Sequence, residues 1–202
     1  MPRTKAQFEE MRKATKEKIQ SSAMQLFVLK GFGSTNVQEI ADKAEISVGL
    51  MYRHYKTKDE LFDELVEFAL GGLRKTIDLF ESDESPNKLI NQFVHDVYND
   101  MISGNELANL TILMTQSFFV KGEANQDENE VAQVNAMLLQ ATSNLIKRGQ
   151  EMGEFGTGES YEMALYFFSA IQGLAEMKVL LRSNFSMPSP TILTAFLYTK
   201  GE

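Results

Sequence analysis

Residues 35–62, TNVQEIADKAEISVGLMYRHYKTKDELF, constrain the fold of this chain more than any other stretch. They read as two short helices, a tight turn and the start of a third helix. Asn36 can cap the first helix, because its short side chain can accept from a free backbone N–H at the helix start. Val37, Ile40, Ala41 and Ala44 recur at helical spacing, so one face is apolar. Glu45 and Ile46 form the turn, which contains no glycine. Ser47 offers a second cap for a helix over 48–54, with Leu50 and Met51 able to face inward. Val48, Gly49, Tyr52, Arg53 and His54 are left to look outward. Thr57 with Glu60 three residues later is a capping-box pattern, and Leu61 and Phe62 open the next apolar stripe.

Two helices joined by so short a turn make either a plain helical hairpin or a helix-turn-helix, whose second helix can lie in a DNA major groove. The order of residues separates the two. An amphipathic helix ending in KGF, then TNVQEIADKAEIS, then VGLMYRHYKTKDELF, closely resembles the TetR family of bacterial transcriptional regulators. The resemblance is detailed over residues 19–65; beyond them it is one of length and helical character. Two departures stand out. Glu45 occupies a turn position where the family commonly has glycine, and Tyr52-Arg53-His54-Tyr55 replaces a common Tyr-x-Tyr-Phe ending.

Charge is divided along the chain. The net charge is −8, yet residues 1–60 carry 11 Lys and Arg against 8 Asp and Glu, whereas residues 61–202 carry 9 against 20. Such asymmetry marks the N-terminal end as the one that handles a polyanion. The acidic remainder would repel DNA and help turn the basic end toward it. A hydrophobic fraction of 43% is enough for a real core. No run of about eighteen apolar residues is evident, so no membrane span is expected. The start, MPRTKAQFEEMRK, has no apolar signal region, which predicts a cytoplasmic chain. There is no cysteine and only two histidines, His54 and His95, so neither thiolate chemistry nor a nucleophile–base constellation is expected: the chain reads as no enzyme. His95 with Asp96 and Asp100 reads as surface polarity rather than a metal site, and no metal or cofactor is expected.

In order, residues 1–7 read as a short basic arm with Arg3 and Lys5, and 8–30 as a helix on the stripe Ile19, Ala23, Leu26, Phe27. After the helix-turn-helix a long helix runs over 58–80 as a connector, with Gly71-Gly72 a possible bend or close-packing point. The polar break over 81–86 separates it from the larger part. Helices are expected over 89–102, 107–120, 130–152, 161–182 and 188–200, with a polar loop over 121–128. No strand-like alternation and no internal repeat is present. The fold class is therefore all-α. A helix-turn-helix domain, 1–57, has contacts reaching Lys58, and a helical effector-binding and dimerisation domain spans 58–202.

In the reading helix, Ser47, Val48 and Gly49 would approach bases or sugars. Gly49 would let the backbone come close, and Leu50 could touch a thymine methyl or pack in the core. The resemblance implies a phosphate contact for Tyr52 and for Lys58, and a base contact for Gln38, since glutamine can pair with adenine. Arg53 could bind guanine or phosphate, His54 a phosphate, and Thr57 completes the candidate surface beside Lys58, where helix-start N–H groups favour an anion.

The later helices are rich in methionine and aromatics, which serve an ordinary core or a soft cavity for an apolar or amphipathic effector. The resemblance implies the cavity, with Phe93, Met101, Met114, Phe118, Met137, Tyr166 and Phe167 as its candidate lining. It also implies that the last two helices pair with their copies around a twofold axis, through Ser169, Gly173, Ile192 and Phe196. The expected function is a homodimeric DNA-binding transcriptional regulator, more often a repressor in this family, released from a palindromic operator by a small effector. The alternative is a DNA-bound adaptor whose larger part docks a protein partner and has no small-molecule switch.

Overall fold

The structure, a computed structural model, describes residues 4–121 and 129–198. Among the described residues every regular element is helical. The chain forms two compact units, Met1–Phe68 and Ala69–Glu202.

In the first unit, α1 spans Lys5–Lys30. It begins three residues before the expected start, so the arm is shorter than expected. Thr4 and Gln7 cap it reciprocally: Gln7 N donates to Thr4 Oγ1 at 3.3 Å and Thr4 N donates to Gln7 Oε1 at 2.9 Å. Arg3 lies outside the described residues. Gly31, at φ 83°, ends the helix by donating its N–H to the Phe27 carbonyl. Helix α2, Val37–Lys43, and α3, Val48–His54, follow with the expected caps, Asn36 and Ser47. Asn36 and Glu39 form a further reciprocal box. Glu39 also takes the Lys30 ammonium, and that bond first, then the Asn36 N–H, holds its carboxyl below the usual range. In the turn between α2 and α3, Glu45 sits at φ 57°, the left-handed region that favours glycine.

Helix α4 runs Lys58–Phe80. Thr57 Oγ1 accepts from Glu60 N at 3.0 Å, while the Glu60 carboxylate reaches back to Lys56 N at 2.8 Å. The boundary between the units therefore falls inside α4, after Phe68, and not before Lys58. The reason is burial: Leu61, Phe62 and Leu65 complete a core made with Ile19, Phe27, Ile40 and Met51. The rings of Phe27, Phe32 and Phe62 meet at 4.5–5.6 Å between centroids. The helix is unbroken at Gly71 and Gly72, and a Cβ added at either would meet nothing within 4 Å. Neither the bend nor the close packing expected there is found among the described residues.

The second unit contains the rest of α4, then α5 (Pro86–Ser103), α6 (Glu106–Lys121), α7 (Glu130–Glu151) and α8 (Ser160–Leu181). Helix α5 starts earlier than expected because Ser85 caps it and Pro86 takes the first position. Glu154 holds that start, accepting from Ser85 Oγ at 2.9 Å and Asn87 N at 2.8 Å. The polar loop expected after Lys121 lies, over 122–128, outside the described residues. The single helix expected over 188–200 is instead α9, Pro190–Thr194, continued by a 3-10 segment, Ala195–Tyr198. Pro190 rather than Pro188 takes its first position, and the hydrogen-bond ladder tightens at Ala195.

Helix α8 is the most apolar of the described helices, as the sequence suggests. By length and composition the segment Ser160–Asn184 is long and apolar enough to span a membrane. It packs against α6 and α7 through Ala164, Phe167, Ile171 and Ala175, while Leu165, Tyr166, Met177 and Leu180 face outward.

Candidate nucleic-acid interface

The outer surface of α2 and α3 carries the candidate contacts. Ser47 Oγ is engaged in capping, accepting from Leu50 N at 3.1 Å, so its presence at the surface is fixed by the helix start it serves. Val48 and Leu50 are half-buried and Gly49 is exposed, with nothing within 4 Å of an added Cβ. Met51 is buried, which leaves the opposite face of this two-turn helix outward. Tyr52 is 51% exposed and Arg53 exposed beside it. On α2, Gln38 is exposed and its Nε2 donates to Asp42 Oδ1 at 2.7 Å. Thr57 is exposed and engaged as the cap of α4.

Lys58 departs most from the role that the resemblance implies. Its ammonium donates to the carbonyls of Phe32 at 2.6 Å and Thr35 at 2.7 Å, and lies 4.2 Å from the centre of the Phe32 ring. Two of its three donors are thus committed to the turn between α1 and α2, leaving one for a phosphate. Sequence reasoning missed this role because both acceptors are main-chain atoms more than twenty residues away.

His54 is half-buried at the end of α3. Burial first, and then the charges of Arg12 and Lys16 on α1, hold its imidazole below its ordinary pKa. Lys16 also bonds Glu64 of α4 at 2.6 Å and lies 5.7 Å from the centre of the Tyr55 ring. Gln20 Nε2 donates to the same carboxylate at 3.2 Å. The buried Tyr55 hydroxyl lies beside Glu64 and Gln20 without closing a hydrogen bond, and burial, then the Glu64 carboxylate, push its pKa up. These contacts clamp α1, the end of α3 and the start of α4 into one rigid head. Glu64 carried no sequence signal, because a carboxylate on a surface helix looks like any solvated charge.

The candidate effector residues divide. Met101 and Phe167 are buried, and Phe93, Met114 and Phe118 are half-buried. Phe93 meets Phe80 at 5.4 Å, Phe167 at 5.9 Å and Phe168 at 6.0 Å. Met137 and Tyr166, at 56% and 61% exposure, open to solvent, away from the interior expected of them; each falls on the outer side of its helix. Of the candidate dimer residues, Ser169 is exposed, Gly173 half-buried, and Ile192 68% exposed; Phe196 is half-buried against the Tyr166 ring at 4.9 Å. Among the described residues no three His, Asp or Glu side chains gather as a metal site.

The arrangement can be compared with known proteins. Residues 19–65 match the model of the N-terminal region of bacterial regulatory proteins of the tetR family. The chain is 27% identical over 195 residues to the HTH-type transcriptional regulator YvkB of Bacillus subtilis, covering 93% of this chain and 96% of that one. It is 35% identical over 89 residues to the probable regulator YttP of the same organism, a match that spans 43% of YttP. The fold is similar to that of the MbdR regulator from Azoarcus sp. CIB, with a TM-score of 0.71 at 21% identity over 91% of this chain and 97% of that one. A capped helix-turn-helix with an exposed reading face is thus matched over residues 19–65 by the tetR family of bacterial regulatory proteins, and the chain as a whole is similar in sequence to an HTH-type transcriptional regulator and in fold to another regulator.

Proposed function

We propose that this chain is a DNA-binding transcriptional regulator of the tetR type, a homodimeric repressor released from a palindromic operator by a small apolar or amphipathic effector. The observation that carries the reading is the continuity of α4. Its first turns supply Leu61, Phe62 and Leu65 to the core of the head, and its last residue, Phe80, stacks edge-on against Phe93. A ligand seated beside Phe93 would press on Phe80, the last residue of α4. The two heads of a dimer must meet successive major grooves about 34–36 Å apart, so a shift of α4 spoils the match. An effector with about 1–3 kcal/mol of preference for the shifted form is sufficient.

Dimerisation draws on α8 and α9. Tyr166, Ser169, Gly173, Met177 and Leu180 recur along one outer line of α8, and Ile192 adds an exposed apolar side chain on α9. The same apolar line favours the adaptor as a second reading, in which a different protein covers it. Sedimentation of the purified chain, with mass spectrometry of the undenatured protein, tests both. The repressor reading expects a dimer and a co-purified or added apolar compound that lowers affinity for a duplex selected from a randomised pool. A monomer that binds the duplex and responds to no compound would support the adaptor instead.

A further inference from the structure

The first ten residues of α1 contribute nothing to the core of the head. Buried positions begin at Ile19, and residues 5–14 are all exposed. Most helical stability in proteins comes from packing an apolar face, so an unpacked extension that is nonetheless capped by Thr4 and Gln7 calls for another account.

Its position supplies one. Arg12 and Lys16 are one turn apart on the same face of α1, and both press their charge on His54 at the end of α3. Lys16 is tied to Glu64 and stands over the Tyr55 ring, which fixes this part of α1 against the end of the reading helix. Arg12, one turn further out, is exposed and forms no ion pair or hydrogen bond among the described residues. The acids of its stretch, Glu9 and Glu10, do not pair with it, and Lys13 is turned away toward Glu17 at 3.9 Å. Arg53 adds a further exposed cation next to His54. The free protein thus holds Arg12 near His54, beside a Lys16 already paired with Glu64, with no carboxylate assigned to Arg12 among the described residues. That arrangement is unfavourable until an anion arrives. A guanidinium is suited to a phosphate, which it can grip through two parallel N–H bonds.

We infer that Arg12 binds a backbone phosphate of the DNA beside the groove entered by α3, so that the start of α1 is a second grip outside the helix-turn-helix. The inference rests on the reading of α3 as the groove-facing helix. The contact fixes position and carries no sequence information. It explains how a head with only a small excess of cations holds a polyanion: the excess is concentrated where α1 passes the end of α3.

The test uses the full chain and a 30-bp duplex selected by it from a randomised pool, with affinity measured at several salt concentrations. Arg12→Gln is compared with Lys13→Gln, an equal charge loss on another side of α1, and with Tyr52→Ala. For Arg12→Gln the expected result is affinity about tenfold lower or weaker, unchanged base preference, and a salt slope shallower by roughly 0.9 for each lost contact. Lys13→Gln should stay near wild type, and the circular dichroism melts of both should match it, since neither side chain is buried. If Arg12→Gln matches wild type while Tyr52→Ala weakens binding, the inference is overturned and the reading of α3 stands. Equal losses in Arg12→Gln and Lys13→Gln overturn it too, as an effect of net charge alone. If neither Tyr52→Ala nor Arg12→Gln changes binding, the reading of α3 fails with it.

Discussion

The ammonium of Lys58 lies 2.6 Å from the carbonyl oxygen of Phe32 and 4.2 Å from the centre of the same residue's ring, so one side chain fastens the start of α4 to the turn that follows α1. Lys58→Met keeps the apolar stem over the ring and removes the charge-assisted bonds to Phe32 and Thr35. Such bonds contribute about 1.5–3 kcal/mol each when both partners are well placed. Because the group is half-buried, the expected loss is about 2 kcal/mol in urea unfolding, with faster amide exchange over the α1–α2 turn. Unaltered stability combined with lost duplex affinity would mean that the phosphate role outweighs the internal one.

Glu45→Gly should stabilise the head. A non-glycine residue in the left-handed region costs about 1–2 kcal/mol, and Glu45 sits at φ 57°. Part of the gain is offset by the greater freedom of glycine in the unfolded chain, so a net rise of roughly 1 kcal/mol is expected. Glu45→Ala is the control: it keeps the Cβ and should gain nothing. A melt in which alanine and glycine behave alike would point away from backbone strain.

Gly49→Ala separates folding from recognition. An added Cβ meets nothing within 4 Å, and alanine is favoured over glycine in a helix by up to about 1 kcal/mol. Thermal stability should therefore rise slightly. Duplex affinity should fall, because the methyl group stands where the backbone would approach the bases. Improved stability with unchanged affinity would place Gly49 away from the groove.

What was legible in the sequence follows from range. Asn36, Ser47 and Thr57 act on N–H groups within three residues, and all three caps stand where the sequence put them. The Thr4–Gln7 box is just as local, yet basic composition near a terminus masked it. The units are divided by where Leu61, Phe62 and Leu65 find partners, and an apolar stripe does not say which neighbour will bury it. Met137 and Tyr166 show the same limit, since a stripe over several turns leaves residues near its edge undecided. Arg12 and Lys16 of α1 and Glu64 of α4 converge from two helices, and only packing brings them to His54 and Tyr55.

His54 should make the head sensitive to acid. Its pKa is lowered in the folded state by burial, then by Arg12 and Lys16, so near and below pH 6.5 the unfolded chain binds the proton more readily. Stability is then fully present above about pH 6.5 and declines as the pH falls toward the folded pKa. A phosphate beside Arg12 reverses the local field and favours imidazolium, so duplex binding should take up a proton and tighten between pH 8 and pH 6. His54→Gln should flatten both profiles. Urea midpoints and duplex titrations at pH 5.5, 6.5 and 7.5 read the two effects separately.

Gly173 offers the sharpest test of assembly. On α8 the buried side is formed by Ala164, Phe167, Ile171 and Ala175, and Gly173 falls on the outer line with Tyr166 and Met177. A Cβ at Gly173 would meet nothing within 4 Å inside the protomer, so the absence of a side chain serves no packing need of its own unit. In a helix, that absence costs about 1 kcal/mol relative to alanine. The cost is recovered if a second α8 crosses here at close backbone approach. Gly173→Glu would place two like charges against each other across a twofold axis. Sedimentation should show its dimer weakened by about 100-fold or more, and duplex affinity should fall with it, since two half-sites then meet unlinked heads. Circular dichroism should still show the helical protomer. A Gly173→Glu chain that remains dimeric would move the interface to another face of α8 or away from it.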